Sequence, residues 1–252
     1  MQPCAIPSSV AAALFAVGIL AGCAGVSGQK PVADYAAIVA APDRSEADRR
    51  TDQRRDPVKL FAFTGVGPGM TVLEMGAGGG YTAEMLARAV APNGKVYAQD
   101  QPPVMQRASD AFANRTKGPA MRNVEYVLRP FDDPLPPAVG HLDLITFFFA
   151  YHDTVHMGVD RARMNRRLYE LLKPGGVLVV ADHSARAGDG VGVTKSLHRI
   201  EESSLVKEIE AAGFKLVATG EFLRHPEDKR DVIVFRAPTP VDEFVLKFRK
   251  PG

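Results

Sequence analysis

The sequence predicts an α/β fold with a mostly parallel sheet, and two observations carry this prediction. A short apolar run at residues 72–75 passes into a glycine-rich turn and then into residues 82–90, whose apolar spacing predicts a helix. A nearly continuous apolar run at residues 142–149 is typical of a central strand covered on both faces. Strands, turns and helices therefore follow one another as a parallel sheet requires.

The glycine-rich turn is the most informative part of the chain. Glycines at positions 76, 78, 79 and 80 allow a sharp turn and let a ligand lie against main-chain N–H groups where a Cβ would collide. A dinucleotide fingerprint requires glycine at the position that Tyr81 occupies. Glu74 also places negative charge where a pyrophosphate would lie, and it favours a ligand with an ammonium or sulfonium group instead. Both residues disfavour a nicotinamide dinucleotide.

The pattern Glu-x-Gly-x-Gly-x-Gly at residues 74–80 resembles the first motif of the class I S-adenosylmethionine (SAM) dependent methyltransferases. Other segments follow in the order of that family, and LLKPGGVLVVADH at residues 171–183 resembles its fifth strand and the turn before it. The resemblance covers about residues 57–250. It implies SAM as the cofactor and a Rossmann-like, doubly wound, mostly parallel sheet of seven strands with an antiparallel last strand.

The other elements are assigned from local patterns. The sequence predicts helices at residues 35–41, 164–172 and 201–212, and strands at residues 95–99, 123–128, 177–181, 214–222 and 244–248. Residues 232–235 compete with residues 244–248 for the role of the seventh strand.

The resemblance implies a set of cofactor-binding residues. Asp100 ends the second predicted strand, where a carboxylate can bind both ribose hydroxyls. In the family, the residues after the third strand hold the adenine, so Asp132 is the expected acceptor for its amino group and Asp133 only starts the next turn. The predicted set is Glu74, Gly76, Gly78, Gly80, Tyr81, Asp100 and Asp132.

Three histidines are the candidate catalytic residues. Methyl transfer from a sulfonium requires that the reactants be positioned and that a proton be removed from an acceptor that carries one. Histidine suits that task near neutral pH. His152 follows the fourth predicted strand and His183 the fifth, at the sheet edge where ligands bind, and His198 follows a glycine-rich loop at residues 185–193 that would act as a lid. A structural, hydrogen-bonded role is the alternative for each.

The N-terminus predicts export and a lipid anchor. Residues 1–22 carry no charged side chain, and the apolar stretch at residues 10–21 is shorter than the ~20 residues that span a bilayer. Leu20-Ala21-Gly22-Cys23 resembles the lipobox of bacterial lipoproteins, which implies acylation of Cys23 and a location in the cell envelope, facing the periplasm. The predicted organisation is a signal peptide at 1–22, a tether and helical segment at 23–56, and a methyltransferase domain at 57–252.

Composition excludes several classes of function. The only two cysteines are Cys4 and Cys23, so the folded domain has no disulfide, cysteine zinc site or cysteine nucleophile, and no metal site is predicted. A net charge of +2 from 31 basic and 29 acidic residues gives no reason to expect nucleic acid as a partner. Residues 43–56 alternate in charge, which indicates a solvated helix or, alternatively, that Arg54 or Arg55 folds over the cofactor and pairs with its carboxylate.

Three functions fit these observations. The first is a lipid-anchored, SAM-dependent methyltransferase that acts on a small molecule or an envelope molecule. The second is a non-catalytic module that binds an adenosyl ligand, which the lack of an obvious SAM supply in the periplasm favours. The third is an NAD-dependent oxidoreductase on a similar sheet, which Glu74 and Tyr81 disfavour.

Overall fold

The computed structural model describes Met1 and residues 32–252. The rest of the predicted signal peptide, the lipidation site Cys23 and the start of the tether lie outside the described residues. Across the described part of the chain, no helix is both long enough and apolar enough to cross a membrane.

Seven strands form one sheet in the order β3-β2-β1-β4-β5-β7-β6. β7 is antiparallel to both of its neighbours, and all other adjacent strands are parallel. The predicted fold class is therefore confirmed, with the antiparallel strand last in the chain and second from the edge. The strands are β1 Thr71–Met75, β2 Lys95–Asp100, β3 Val124–Leu128, β4 Leu142–Phe148, β5 Leu172–His183, β6 Lys215–Gly220 and β7 Glu243–Arg249.

Helices cover both faces of this sheet and also precede it. They are α1 Tyr35–Val39, α2 Glu46–Arg55, α3 Pro57–Thr64, α4 Tyr81–Val90, α5 Gln106–Arg115, α6 Asp153–His156, α7 Arg161–Leu171, α8 Thr194–Leu197 and α9 Glu202–Glu210. The predicted helices at 35–41, 82–90, 164–172 and 201–212 correspond to α1, α4, α7 and α9.

The structure departs from the predicted elements at two places. β5 begins at Leu172, because Leu142 pairs with Leu172 and the register then shifts before Leu144 pairs with Val177. The shift absorbs the turn that we expected at residues 173–176. Residues Val234–Arg236 form a short 3₁₀ helix, so residues 232–235 are not the seventh strand, and β7 has that role.

The apolar residues of β1 are buried on both faces of the sheet. β1 lies inside the sheet between β2 and β4, and its residues Val72, Leu73 and Met75 are all fully buried. Leu73 and Met75 belong to the cluster on one face of the sheet and Val72 to the cluster on the other face. A strand buried on both faces needs apolar residues at successive positions, which is the pattern that the sequence shows here.

The helices before β1 pack on the same core. The Tyr35 hydroxyl donates to the Val66 carbonyl at 2.6 Å in a buried hydrogen bond. Arg44 binds Asp52 through two hydrogen bonds, and Arg115 binds Asp48 in the same way. The Arg115 pair holds α2 against α5, and the Tyr81 hydroxyl, which donates to Asp52, holds α2 against the start of α4. The predicted boundary at residue 56 therefore separates segments that are packed together.

Arg199 is buried among main-chain carbonyls next to a candidate catalytic histidine. It is 0% exposed, and its guanidinium donates to Asp228 at 2.8 Å and to the Ser184 carbonyl at 3.1 Å. Asp228 also accepts the main-chain N–H groups of Arg230 and Asp242. Arg199 thus fixes the backbone that presents His198.

Replacing Arg199 should be far more costly than replacing an exposed arginine. We expect Arg199→Leu to lower the free energy of unfolding by ~3–5 kcal/mol, because Asp228 would keep a buried charge without its cation. The matched control is Arg186→Leu, which removes an exposed pair with Asp231 at 3.1 Å and should cost under ~1 kcal/mol. Urea denaturation measures both, and equal losses would contradict a structural role specific to Arg199.

Candidate active site

The glycine-rich turn joins β1 to α4, as predicted. Gly76, Gly78 and Gly80 have φ values of +71°, +54° and +79°, in the left-handed region that favours glycine. The N–H groups of Gly76 and Ala77 both donate to the Gln99 carbonyl at 2.9 Å, which fixes the turn against the end of β2. A Cβ on Gly78 would meet no protein atom within 4 Å. The turn therefore leaves open space at Gly78, where a ligand can approach the backbone.

Asp100 borders this open space from the end of β2. Its carboxylate accepts the Gly78 N–H at 3.0 and 3.2 Å and the Tyr126 hydroxyl at 3.0 Å. Burial raises the pKa of Asp100, while the two hydrogen bonds oppose that rise. The position agrees with the one expected of a ribose-binding carboxylate, and the ribose contact itself stays a prediction.

Glu74 is a buried carboxylate at the mouth of the turn. It is 4% exposed, and within the described residues its Oε2 atom has no hydrogen-bond partner. Burial and the charge of Asp100 raise the pKa of Glu74 well above its ordinary value, and the charge of Arg55 opposes the rise. A buried, unpartnered carboxylate requires a cation or a proton. Glu74 is thus suited to a positively charged ligand.

Helix α2 brings Arg55 to the same place. The Arg55 guanidinium lies 4.6 Å from the ring centre of Phe149 and 5.2 Å from that of Tyr81. Its Nε atom has no hydrogen-bond partner in the part of the chain that the structure describes. Burial and the neighbouring charge of Arg54 lower the pKa of Arg55 to about 10. This position is compatible with the second of the two alternatives for residues 43–56, and the pairing of Arg55 with a cofactor carboxylate stays a prediction.

The hydroxyl of Tyr81 links the end of the glycine-rich turn to helix α2. That hydroxyl donates to Asp52 of α2 at 2.6 Å, so it is already occupied by the protein. Any contact of Tyr81 with a cofactor would be made by its ring, over which Arg55 lies.

Asp132 lies apart from the turn, in a cavity of about 340 Å³. Its carboxylate is 3.4 Å from Arg163, whereas Asp133 is held by a short hydrogen bond from Arg129. Asp132 is therefore the freer of the two carboxylates, and its contact with adenine stays a prediction. The cavity is also lined by Gln101, Pro102, Pro130, Met157, Gly158, Val159 and Asp160.

Asp182 joins the two strand ends on the other side of the turn. Its carboxylate accepts the main-chain N–H groups of His152 at 2.9 Å and of His183 at 2.8 Å. It is also 2.7 Å from Nδ1 of the buried His152 ring. Because β4 and β5 are parallel neighbours, their carboxyl ends meet here. His152 is thereby held with its Nε2 atom pointing away from Asp182.

His198 completes a cluster with His152. The His198 Nδ1 atom lies 3.2 Å from His152 Nε2 and 3.2 Å from the Oδ1 atom of Asp153. His198 has a φ of +52°, and its ring centre is 5.0 Å from that of Phe235, a residue that is 75% exposed. The cluster therefore reaches from the buried end of β4 to the surface.

His183 lies between this cluster and Arg55. Its ring stacks on Phe149 with a centroid distance of 5.2 Å and lies 5.6 Å from the ring of His152. Its Nδ1 atom is 3.0 Å from Glu243, which also accepts a hydrogen bond from Arg54 at 2.9 Å. The structure thus brings all three predicted histidines together, next to the residues that surround the glycine-rich turn.

The two clustered imidazoles differ in pKa. Burial lowers the pKa of His152, but the charges of Asp182 and Asp153 outweigh this effect and raise the value to about 10. Burial also lowers the pKa of His198, and the charge of Asp153 does not fully compensate. Burial raises the pKa of Asp153, but the neighbouring His152 lowers it overall. These shifts favour the protonated form of His152 and the neutral form of His198 near pH 7.

Several residues of the site were not predicted from the sequence. Asp153 and Asp182 each adjoin a predicted histidine, so their positions beside strand ends were a usable signal. Phe149 has no such signal, because it continues an apolar strand. Glu243 comes from β7, sixty residues after His183 in the chain, and no local pattern indicates that it lies beside that histidine.

Part of the chain is similar in sequence to known proteins. Residues 72–176 match the family described as a methyltransferase domain. The chain is 31% identical over 121 residues to the arsenite methyltransferase of Halobacterium salinarum, a match that covers 48% of this chain and 29% of the relative. It is 30% identical over 129 residues to the ubiquinone/menaquinone biosynthesis C-methyltransferase UbiE of Cupriavidus necator, covering 50% and 49%. The chain thus spans less than half the length of either curated relative.

The fold is also similar to solved structures. A SAM dependent methyltransferase from Aquifex aeolicus superposes with a TM-score of 0.58 and 20% identity, covering 86% of this chain and 98% of that protein. At this identity the likeness shows the fold alone. Residues 72–176 thus match a methyltransferase domain, the fold is that of a SAM-dependent methyltransferase of known structure, and these similarities support SAM as the cofactor.

The raised pKa of Glu74 predicts that SAM binding depends on pH. SAM carries positive charge at its sulfonium and amino groups, so it should bind the ionised form of Glu74. Where the Glu74 carboxyl is protonated before binding, binding should release that proton. The affinity should therefore rise by at least ~10-fold between about pH 5 and 7, below the ordinary pKa of an amino group. Calorimetry in buffers of different ionisation enthalpy measures the affinity and the proton release.

Glu74→Gln is the matched control for this measurement. It preserves the shape of the side chain and removes its charge, so SAM should bind more weakly and with no pH dependence from this position. Asp100, Arg55 and Arg115 also act on Glu74 and remain in the variant. An affinity in the unmodified chain that is constant over this pH range would contradict the account.

Proposed function

We propose that this chain is a SAM-dependent methyltransferase that acts on a small-molecule or cell-envelope acceptor. The observation that carries the proposal is the short distance between the glycine-rich turn and the loop that carries His152. A Cβ on Gly76, in the cofactor turn, would lie 3.1 Å from the Cβ of Ala150, two residues before His152. A cofactor held by the turn therefore lies beside the histidine cluster, which suits transfer of a methyl group between them.

The charged groups at the turn match the parts of SAM. Glu74 would face the sulfonium and amino groups, because it is a buried carboxylate without a partner. Arg55 would pair with the SAM carboxylate, since its guanidinium has a free edge and arginine forks suit carboxylates. Asp100 would bind the ribose and Asp132 the adenine. The site thus offers a carboxylate to the cationic groups of SAM and a guanidinium to its carboxylate. This pairing of opposite charges favours SAM over a pyrophosphate.

The histidines supply what methyl transfer needs from the protein. The reaction requires an acceptor atom aligned with the S–CH₃ bond and, for many acceptors, a group that takes its proton. His152, His183 and His198 present imidazole nitrogens around one small volume. They would orient the acceptor. His198, whose pKa is lowered by burial, would receive its proton, and the cofactor leaves as the neutral thioether.

The acceptor side favours an organic molecule over arsenite. As(III) is a soft centre that prefers thiolate ligands, and the chain's cysteines, Cys4 and Cys23, both precede the domain. The side of the cluster toward solvent carries Phe235, which is 75% exposed and in contact with His198. An acceptor with an apolar or aromatic part fits this entrance. Acylation of Cys23 would place the enzyme at the cell envelope, a proposal that rests on the sequence alone.

Binding experiments on the full chain test this function. SAM should bind, and Gly78→Val should abolish binding, because the added side chain fills the open space at the turn. Asp100→Ala should weaken binding by ~1.5–3 kcal/mol, the size of lost charge-assisted hydrogen bonds. Gly175→Val is the matched control, since Gly175 also has a positive φ, of +77°, and open space, but lies outside the site. Calorimetry measures all four proteins.

The outcomes separate the competing functions. Unchanged SAM affinity in both site variants would contradict the site assignment. Tighter binding of NAD than of SAM would favour an oxidoreductase. SAM binding without transfer of a labelled methyl group to any member of an acceptor panel, extended to envelope extracts, would favour a non-catalytic binding module.

A further inference from the structure

We propose that His152, Asp153 and His198 form a binding site for a divalent transition-metal ion. The place of such an ion in catalysis rests on the proposed methyltransferase function, but the binding of the ion does not. The lack of cysteine in the domain, on which the prediction of no metal site rests, excludes thiolate ligands but not histidine and aspartate ligands.

The three ligand atoms form a nearly equilateral triangle. His152 Nε2 lies 3.1 Å from Asp153 Oδ1, Asp153 Oδ1 lies 3.2 Å from His198 Nδ1, and the two ring nitrogens are 3.2 Å apart. An ion with bonds of ~2.0–2.2 Å to nitrogen and oxygen places neighbouring ligands ~3.0–3.4 Å apart in tetrahedral or octahedral geometry. One ion can therefore reach all three atoms from just above the plane of the triangle.

Hydrogen bonding alone does not account for this arrangement. Asp153 Oδ1 is buried and lies close to two imidazole nitrogens, yet among residues 32–252 it has no hydrogen-bond partner. The nitrogens are near enough to donate to it but are not aligned to do so. The hydrogen bond between the two ring nitrogens, at 3.2 Å, leaves this carboxylate oxygen unpaired within the described ranges, and a cation between the three atoms would satisfy all of them.

The ligand types define the class of metal. Two imidazoles and one carboxylate bind first-row divalent ions such as Zn²⁺ or Fe²⁺, and they leave coordination positions open for another ligand. Ca²⁺ and Mg²⁺ prefer oxygen ligands and are disfavoured. The side chains of Asp153 and His198 are 32% and 24% exposed, against 3% for His152, so the open positions face the entrance of the pocket.

Asp182 supports His152 in the way that metal-binding histidines require. Its carboxylate lies 2.7 Å from His152 Nδ1, so that nitrogen donates its proton and Nε2 is left as the ligand atom. Asp182 and Asp153 place two carboxylates beside the His152 ring, at 2.7 and 3.1 Å, and their charge would favour a cation there.

The backbone at His198 is held in a costly conformation to present its ring. Its φ of +52° is disfavoured for a residue with a Cβ, and such strain persists only where the surroundings impose it. Arg199, with its buried pair to Asp228, anchors the next residue. A ligand position explains why an imidazole stands at a site where glycine or asparagine would be less strained.

Co²⁺ binding to the full chain tests the inference. After treatment with a chelator, the chain should bind one Co²⁺. The visible absorption of the bound ion should be that of Co²⁺ with nitrogen and oxygen ligands and a low coordination number. His198→Asn keeps a residue that tolerates positive φ, and Asp153→Asn keeps the side-chain shape. Both should weaken Co²⁺ binding by at least ~100-fold, and Asp182→Asn, which touches no ion, by ~10–100-fold.

His225→Ala is the matched control, because His225 also faces a carboxylate, Glu227, at 3.3 Å but lies outside the cluster. It should bind Co²⁺ as the unmodified chain does. The inference is overturned by a full chain that binds no Co²⁺, by unchanged binding in His198→Asn and Asp153→Asn, or by an equal loss in His225→Ala. SAM affinity, measured on the same chelator-treated samples, shows whether a variant is folded and tests the methyltransferase function separately.

Discussion

The hydrogen bonds of the Asp182 carboxylate hold together the part of the pocket formed by the histidines, where the methyl acceptor is proposed to bind. A buried carboxylate is costly unless its oxygens are paired, and Asp182 is paired with two main-chain N–H groups and the His152 ring. Those groups come from the ends of two parallel strands, β4 and β5. Asp182 therefore fixes the loop after β4 relative to β5, and with it the direction of the His152 ring. His183 and His198 take their places around that ring.

A second set of charges closes the cofactor side. Helix α2 is rich in charge, but Asp48 and Asp52 point inward and pair with Arg115, Arg44 and Tyr81. This network places α2 over the glycine-rich turn and delivers Arg55 to the rings of Phe149 and Tyr81. Phe149 also stacks on His183. Its ring therefore lies between Arg55, the residue proposed to bind the cofactor, and the histidine cluster. The pocket is thus assembled from segments far apart in the chain.

The sequence predicts the fold better than the site. Periodicity and glycine positions locate every strand of the sheet, and the positions of Asp100, His152 and His183 follow from the strand ends. The bulge that extends β5 is not predictable, because it depends on pairing of Leu142 with Leu172. Contacts between distant segments, such as Glu243 with His183 and Arg54, depend on the antiparallel placement of β7 and have no local pattern. His152 and His198, the proposed metal ligands, are likewise brought together only by the fold.

The central claim is that the glycine-rich turn holds the cofactor with its sulfur toward the histidine cluster. A crystal structure of the full chain with S-adenosylhomocysteine measures this directly. The account predicts the ribose on Asp100, the carboxylate on Arg55 and the sulfur facing His152, His183 and His198 past Phe149. Binding of the nucleoside away from Gly78, or a sulfur turned away from all three imidazoles, would contradict it.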